Sequence, residues 1–450
     1  MAISVHAIPM QGKYILYRPL RQLAFVGNKA MADLVLDLAR HPSSPSSRAP
    51  EQAIAFLRAI DFLAPDPPPP PAPDPAYHPT STVLLLTSRC NLRCTYCYAN
   101  AGEEPVEDLA PELAQAAIDH VCQNAAERGL PRFDLGFHGG GEPIQAWETV
   151  QRATAYARGK DLDCHISLVS NGVWTARQRE WILHNLNSVN ISFDGRQETQ
   201  DRQRPFSSGR GSFKAVMHTI GALEKAKLPY TIRMTATSPW RGDLPEDVRF
   251  ICQETDCPAI QVEPTFSPQR GEHRGPTQEQ GEAFADAFME AFEIARRADR
   301  QLMYSGARPW LTAHAFCTAP YGALVVTPTG SLVGCYEVTS DRHPLAPIFT
   351  LGHIVGSRIV VDDRARTALL ARLEERRAQC QDCFCYWHCA GDCYPRAHAA
   401  TGGRLDVASP RCAMNKEISA RILLWYIMDG DGLWQGRKVH PREKQLAKSF

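Results

Sequence analysis

Three cysteines, Cys90, Cys94 and Cys97, fall within eight residues of the stretch TSRCNLRCTYCYANAG. Thiolates spaced C-x3-C-x2-C can each take one iron of a cubane [4Fe–4S] cluster, which ordinarily uses four cysteines. A three-cysteine loop leaves one iron open, and an open metal position is where a substrate or cofactor binds. The same spacing also suits a zinc ion completed by a distant ligand such as His138. A second set follows: Cys317, Cys335, Cys380, Cys383, Cys389, Cys393 and Cys412. Its run C-x2-C-x5-C-x3-C, from Cys380 to Cys393, contains an element that zinc ribbons share.

The rest of the composition bears on how those thiols are used. The chain has 450 residues, 44% hydrophobic and 22% charged, with Lys+Arg and Asp+Glu both at 49. That is globular composition with material for a large core, and a balance that points to neither a nucleic-acid nor a membrane-surface partner. There is no secretory segment near Met1, and no apolar run is long enough to span a bilayer. A cytoplasmic location is expected. Disulfides are disfavoured there, so clustered cysteines read as metal or redox ligands. Cys122, Cys164, Cys252, Cys257 and Cys385 stand outside both patterns and read as small buried hydrophobes.

Stepping along the chain, residues 1–63 predict a small module. KYILYRPLRQLAFVG reads as two strands with a turn at Pro19, and KAMADLVLDLAR and EQAIAFLRAIDFL as helices flanking a loop, PSSPSSRAP. Residues 64–79 are proline-rich and predict a semi-rigid spacer. From Thr80, apolar strands alternate with amphipathic helices: STVLLLT, RFDLGFH, CHISLVS, SVNISFD, YTIRMTAT and AIQVEPTF. Six such units predict an α/β fold, a partial (β/α)6 TIM-like barrel. Sites in such folds lie at the C-terminal ends of the strands, which is where the three-cysteine loop falls. A long helix, EQGEAFADAFMEAFEIARRADR, ends near residue 300, and the barrel domain is expected to span residues 80–310. Residues 311–415 are cysteine- and loop-rich, and 416–450 read as a helix, KEISARILLWYIM, with a charged tail.

The loop resembles the C-x3-C-x-aromatic-C signature of the radical S-adenosylmethionine (radical SAM) superfamily, with Tyr96 in the aromatic slot. FHGGGEP resembles its Gly-Gly-Glu element (Gly140, Gly141, Glu142). SNG with Asn171, SFDG with Ser192 and Asp194, and RMT with Arg233 resemble its later strand-end elements, in order on successive strands. Taken alone, each is a turn or a cap. The resemblance implies that S-adenosylmethionine (SAM) chelates the open iron, and that a reduced cluster cleaves it to a 5′-deoxyadenosyl radical that abstracts a hydrogen atom.

The second cysteine set, with Gly330, resembles the seven-cysteine SPASM domain. By that pattern Cys380, Cys383, Cys389 and Cys412 hold an outer [4Fe–4S] cluster. Cys317, Cys335 and Cys393 hold an inner one, whose fourth ligand is Cys257, Cys385, a His or an open iron. The resemblance spans residues 80–415 and implies SAM and three [4Fe–4S] clusters. It also implies an external electron donor such as flavodoxin or ferredoxin, and leaves room for a small accessory protein. The resemblance is to enzymes that mature ribosomal peptides or sulfatases, with a minority acting on smaller molecules, so the expected substrate is a ribosomally made precursor peptide (RiPP), crosslinked or rearranged. Residues 1–63 loosely resemble a winged-helix leader-binding element; a structural cap is the alternative. Two rival readings are an anaerobic sulfatase-maturating enzyme and a zinc-binding interaction module. Sulfatase maturases place an acidic base directly after the inner-cluster cysteine, where this chain has Tyr336, with Glu337 next. Glu337, Tyr336 and Asp194 are the polar candidates for a proton or electron role, against solvated or capping alternatives.

Overall fold

The computed structural model describes residues 4–436 apart from 42–49, 104, 239, 241, 268, 269, 273 and 405. The expected loop over PSSPSSRAP and the charged end lie almost wholly outside the described residues. Three antiparallel strands open the chain: β1 (His6–Met10), β2 (Lys13–Arg18) and β3 (Leu23–Gly27). The turn after Pro19 closes with the Gln22 amide on the Pro19 carbonyl. The helices Lys29–Arg40 and Glu51–Ala59 follow. Side chains along β2 alternate between two cores, as the pleat requires. Leu16 packs with Phe25, Val35, Leu57 and Phe62, whereas Ile15 and Tyr17 enter the main core.

The barrel strands are β4 (Ser81–Leu85), β5 (Arg132–His138), β6 (Asp163–Ser170), β7 (Ser188–Ser192), β8 (Tyr230–Ala236) and β9 (Ala259–Pro264). All run parallel, and each pairs with its successor. Helices such as Pro111–Glu127, Trp147–Arg158 and Phe213–Ala226 connect them. A short β10 (Gln301–Met303) adds a seventh parallel strand after the closing helix Gln278–Arg297. Parallel pairing puts every strand's C-terminal end, and therefore every loop carrying a predicted site element, on one side of the sheet.

The sheet also extends past residue 311. β11 (Ala323–Val326) runs parallel beside β4, and β12 (Ser331–Val333), β13 (Thr350–Val355) and β14 (Arg358–Val361) continue it antiparallel, giving eleven strands. Cys335 therefore sits just beyond a strand of the barrel's own sheet. After the last helix, Arg411–Asp429, β15 (Leu433–Gln435) pairs with β3 and joins the end of the described chain to the N-terminal sheet.

The proline-rich segment is tied down at both ends. Arg18, fully buried, donates to the carbonyls of Phe62 and Ala64 and to Asp66, while Tyr77 donates to the Ala323 carbonyl at 2.8 Å. Among the described residues no helix is long and apolar enough to cross a membrane.

Candidate active site

The loop between β4 and the helix Pro111–Glu127 has no regular structure, so its shape depends on bonds to its surroundings. The Leu92 amide points at the Cys90 sulfur (3.5 Å) and the Ala101 amide at the Cys97 sulfur (3.4 Å). The Asn171 side chain approaches the Cys90 sulfur at 3.9 Å and bonds Asn91 at 2.8 Å. Burial pushes the Cys90 thiol up to about 12 and the Cys94 thiol up to about 11, the latter against two guanidiniums, Arg204 and Arg270. Thiols held protonated without metal must lose their protons when metal binds. Soft sulfur ligands, amide donors aimed at them and nearby cations suit an anionic iron–sulfur cluster. Among the described residues, no three His, Cys, Asp or Glu side chains are arranged to hold a single metal ion. A cluster does not ask for that, because each thiolate takes a different iron.

FHGGGEP wedges between this loop and the C-terminal region. A Cβ on Gly141 would collide with the Arg89 carbonyl, and one on Gly140 would lie 2.8 Å from the Thr339 side chain. Glu142, 2% exposed, accepts from the Ser170 hydroxyl (2.7 Å) and the Asn171 amide (2.8 Å). Burial pushes its carboxyl up to about 7, against those bonds. Glu142, Asn171 and the cysteine loop thus form one hydrogen-bonded unit. Ser192 and Arg233 are partners in register on β7 and β8. Arg233 lies within electrostatic reach of Tyr98, His138, Tyr336 and Cys317, the last a member of the C-terminal cysteine set.

Asp194, a candidate for a proton or electron role, is placed differently. It is 1% exposed and accepts from Arg204 Nε (2.9 Å), Gln203 Nε2 (2.9 Å) and the Thr235 amide (3.0 Å) as well as from the Tyr96 hydroxyl. Three of these donors, the Arg204 guanidinium among them, share Oδ2 and one reaches Oδ1. Through the Tyr96 hydroxyl the carboxylate is tied to the middle of the cysteine loop.

The C-terminal cysteines form two neighbourhoods. Cys380, Cys383, Cys389 and Cys412 influence one another's ionisation; so do Cys317, Cys335 and Cys393. Among the described residues, no fourth cysteine joins the second group. The Cys257 thiol donates to the Ala259 carbonyl (3.0 Å), at the start of β9 and so the opposite end of the barrel. Cys385 is buried beside Cys383 in the first group. Neither completes the inner set.

Glu337 and Tyr336 stand between the two cysteine systems. The Glu337 amide points at the Cys335 sulfur (3.4 Å), and Arg396 donates to its carboxylate (3.3 Å). Arg396 also donates to Glu263 at 2.8 Å, at the C-terminal end of β9. Tyr336 stacks on His138, with ring centroids 5.9 Å apart. Four charged residues that the sequence did not single out stand at the site: Arg204, Glu263, Arg270 and Arg396. Each is a lone charge, in an irregular segment, at a strand end or, for Arg396, in the short helix Tyr394–Thr401, with no spacing to distinguish it.

The profile of the radical SAM superfamily matches residues 84–248. The sporulation killing factor maturation protein SkfB of Bacillus subtilis (strain 168) is 26% identical over 359 residues, 77% of this chain and 75% of that protein. A cysteine-type anaerobic sulfatase-maturating enzyme of Clostridium novyi (strain NT) is 24% identical over 190 residues, 40% of this chain and 50% of that one. Among solved structures, native anSMEcpe with bound AdoMet and the Kp18Cys peptide superposes with a TM-score of 0.61 at 18% identity, covering 82% of this chain and 99% of that one. That likeness shows a shared fold.

Proposed function

We propose that this chain, a radical SAM enzyme, modifies a ribosomally made precursor peptide. The observation that carries the reading is the convergence of four strand-end elements on the three-cysteine loop, in a chain alignable with the maturation protein SkfB over 77% of its length. When bound, the cluster and SAM supply a 5′-deoxyadenosyl radical that takes a hydrogen atom from the substrate; the protein supplies position and exclusion of water.

In this reading Cys90, Cys94 and Cys97 hold the SAM-binding cluster. Glu142 takes the methionyl ammonium, an acidic acceptor beside a backbone that glycines let come close. Asn171, Ser192 and Arg233 orient the carboxylate and ribose. The two C-terminal neighbourhoods hold auxiliary [4Fe–4S] clusters, making three in all, and the inner one keeps an open iron. The peptide would lie between the SAM site and the inner group, beside Tyr98, His138, Tyr336 and Glu337. Glu337, oriented by Arg396, would accept a proton from the substrate.

A peptide leader joining the N-terminal sheet would add a strand. Since β15 covers the β3 edge, the leader would use β1, where Pro9 removes one donor. A one-electron donor such as flavodoxin or ferredoxin completes the system. Co-expression with a short peptide encoded beside this chain, followed by mass spectrometry, tests the reading. Loss of a hydrogen pair marks a crosslink; an unchanged peptide from an iron-replete enzyme counts against it. Formylglycine formation on a sulfatase peptide would instead support the sulfatase-maturase alternative.

A further inference from the structure

The cysteine loop is braced from two sides by segments far away in sequence. On one side residues 203–207 run along it: Thr95 N bonds Gln203 O (2.9 Å), Arg93 N bonds Pro205 O (2.8 Å) and Ser207 N bonds Asn91 O (3.1 Å). On the other side stands Arg270, from the loop after β9. Its Nη1 donates to the Cys94 carbonyl (2.6 Å) and its Nη2 to the Ala101 carbonyl (2.8 Å). Its Nε reaches Asn100 Oδ1 (3.2 Å) and pairs with Glu103 (2.9 Å). The next residue, Gly271, donates its amide to the Cys97 carbonyl at 2.8 Å. The side chain is 17% exposed.

A guanidinium is planar and carries five donors in a fixed fork, so one side chain can bridge carbonyls that a lysine could reach only singly. Arg270 uses that fork to join the residue carrying the second thiol to the end of the turn carrying the third. It is also, with Arg204, one of two cations facing Cys94.

We propose that Arg270 is a positioning residue for the radical SAM reaction: it latches the cluster-bearing loop and, through its charge, makes the bound cluster easier to reduce. The proposal rests on the radical SAM reading. One electron passes from the reductant to the cluster, whose charge becomes one unit more negative, and no bond forms or breaks. A fixed cation stabilises the more negative state, and cluster potentials respond to local charge and hydrogen bonding.

The test uses anaerobically reconstituted full-length enzyme. The midpoint potential is measured on the electron paramagnetic resonance signal that changes when SAM is added. Hydrogen–deuterium exchange is followed over residues 90–102. R270Q is expected to move the potential to more negative values and to speed exchange in the loop. R270K should restore most of the potential but not the protection, since lysine cannot span both carbonyls. E103Q, which removes the anion paired with Arg270, should move the potential to more positive values and serves if R270Q does not retain iron. Wild-type potentials in R270Q, or in E103Q where R270Q holds no iron, overturn the proposal, even if exchange is faster. A wild-type signal indifferent to SAM overturns the radical SAM reading itself and is seen before any variant is made.

Discussion

Arg204 donates from Nε to Asp194 Oδ2 at 2.9 Å, and both side chains are buried behind the ring of Tyr96. The guanidinium also lies 5.2 Å from the centroid of that ring. A carboxylate at the end of one barrel strand therefore fixes the aromatic residue between two cluster cysteines.

Removing one partner of such a pair leaves the other buried and uncompensated. Asp194→Ala is expected to cost about 3–5 kcal/mol of stability. Urea unfolding of the iron-free protein measures this directly. A loss below about 1 kcal/mol, the range of exposed ion pairs, would show that water reaches Arg204.

Glu142 carries a pH dependence. Its carboxyl ordinarily titrates near 4.5 and is pushed up to about 7 by burial, so the folded state keeps a proton that the unfolded chain gives up. The stability contributed by this group is full below the unfolded value and is lost as pH rises through about 7. On the proposed function the SAM ammonium pairs with this carboxylate in its ionised form, so SAM affinity should weaken below pH 7 by up to about tenfold per unit. Glu142→Gln should bind more weakly and flatten that slope. Calorimetric titration with SAM across this range is the check.

Gly141→Ala places a methyl group against the Arg89 carbonyl, which is backbone and cannot swing aside. The expected result is loss of SAM binding with the C-terminal iron retained. Iron analysis and SAM titration on the same sample separate the two; normal SAM binding would show that the loop yields.

Cysteine variants should divide the iron. Cys94→Ala is expected to lower iron content by about a third, on the basis of three clusters, and to abolish SAM cleavage. Cys257→Ala and Cys385→Ala should leave the iron content unchanged, since neither thiol reaches the inner group. Loss of iron in Cys257→Ala would contradict that placement.

What the sequence made legible follows the range of the interactions involved. The six parallel strands are short apolar runs bounded by turns; the observed strands start within one residue of those runs, and four of the six end one or two residues earlier. Three-residue strands such as β10 and β15 exist only because distant partners align them, and no local pattern marks them. The attachment of β11 to β4 is likewise a pairing of segments more than 200 residues apart in sequence. At the site, the cysteines and the Gly-Gly-Glu element were readable because their spacing is the signal. Asp194 was legible as a strand-end polar residue, but its role depends on Arg204 and Gln203, which arrive from the following helix and its end. Arg270 and Arg396 act through the carbonyls and carboxylates they reach, which only the folded chain brings near.

The central claim is that the three-cysteine loop supports SAM cleavage coupled to modification of a peptide. The most direct measurement is the yield of 5′-deoxyadenosine and of modified peptide, by liquid chromatography and mass spectrometry, from the reconstituted enzyme under anaerobic reduction with SAM and its precursor peptide. Both are expected to form, 5′-deoxyadenosine to increase with the peptide present, and both to vanish in Cys94→Ala. A colourless protein holding stoichiometric zinc, or an iron-replete one that yields no 5′-deoxyadenosine even with peptide, would contradict it.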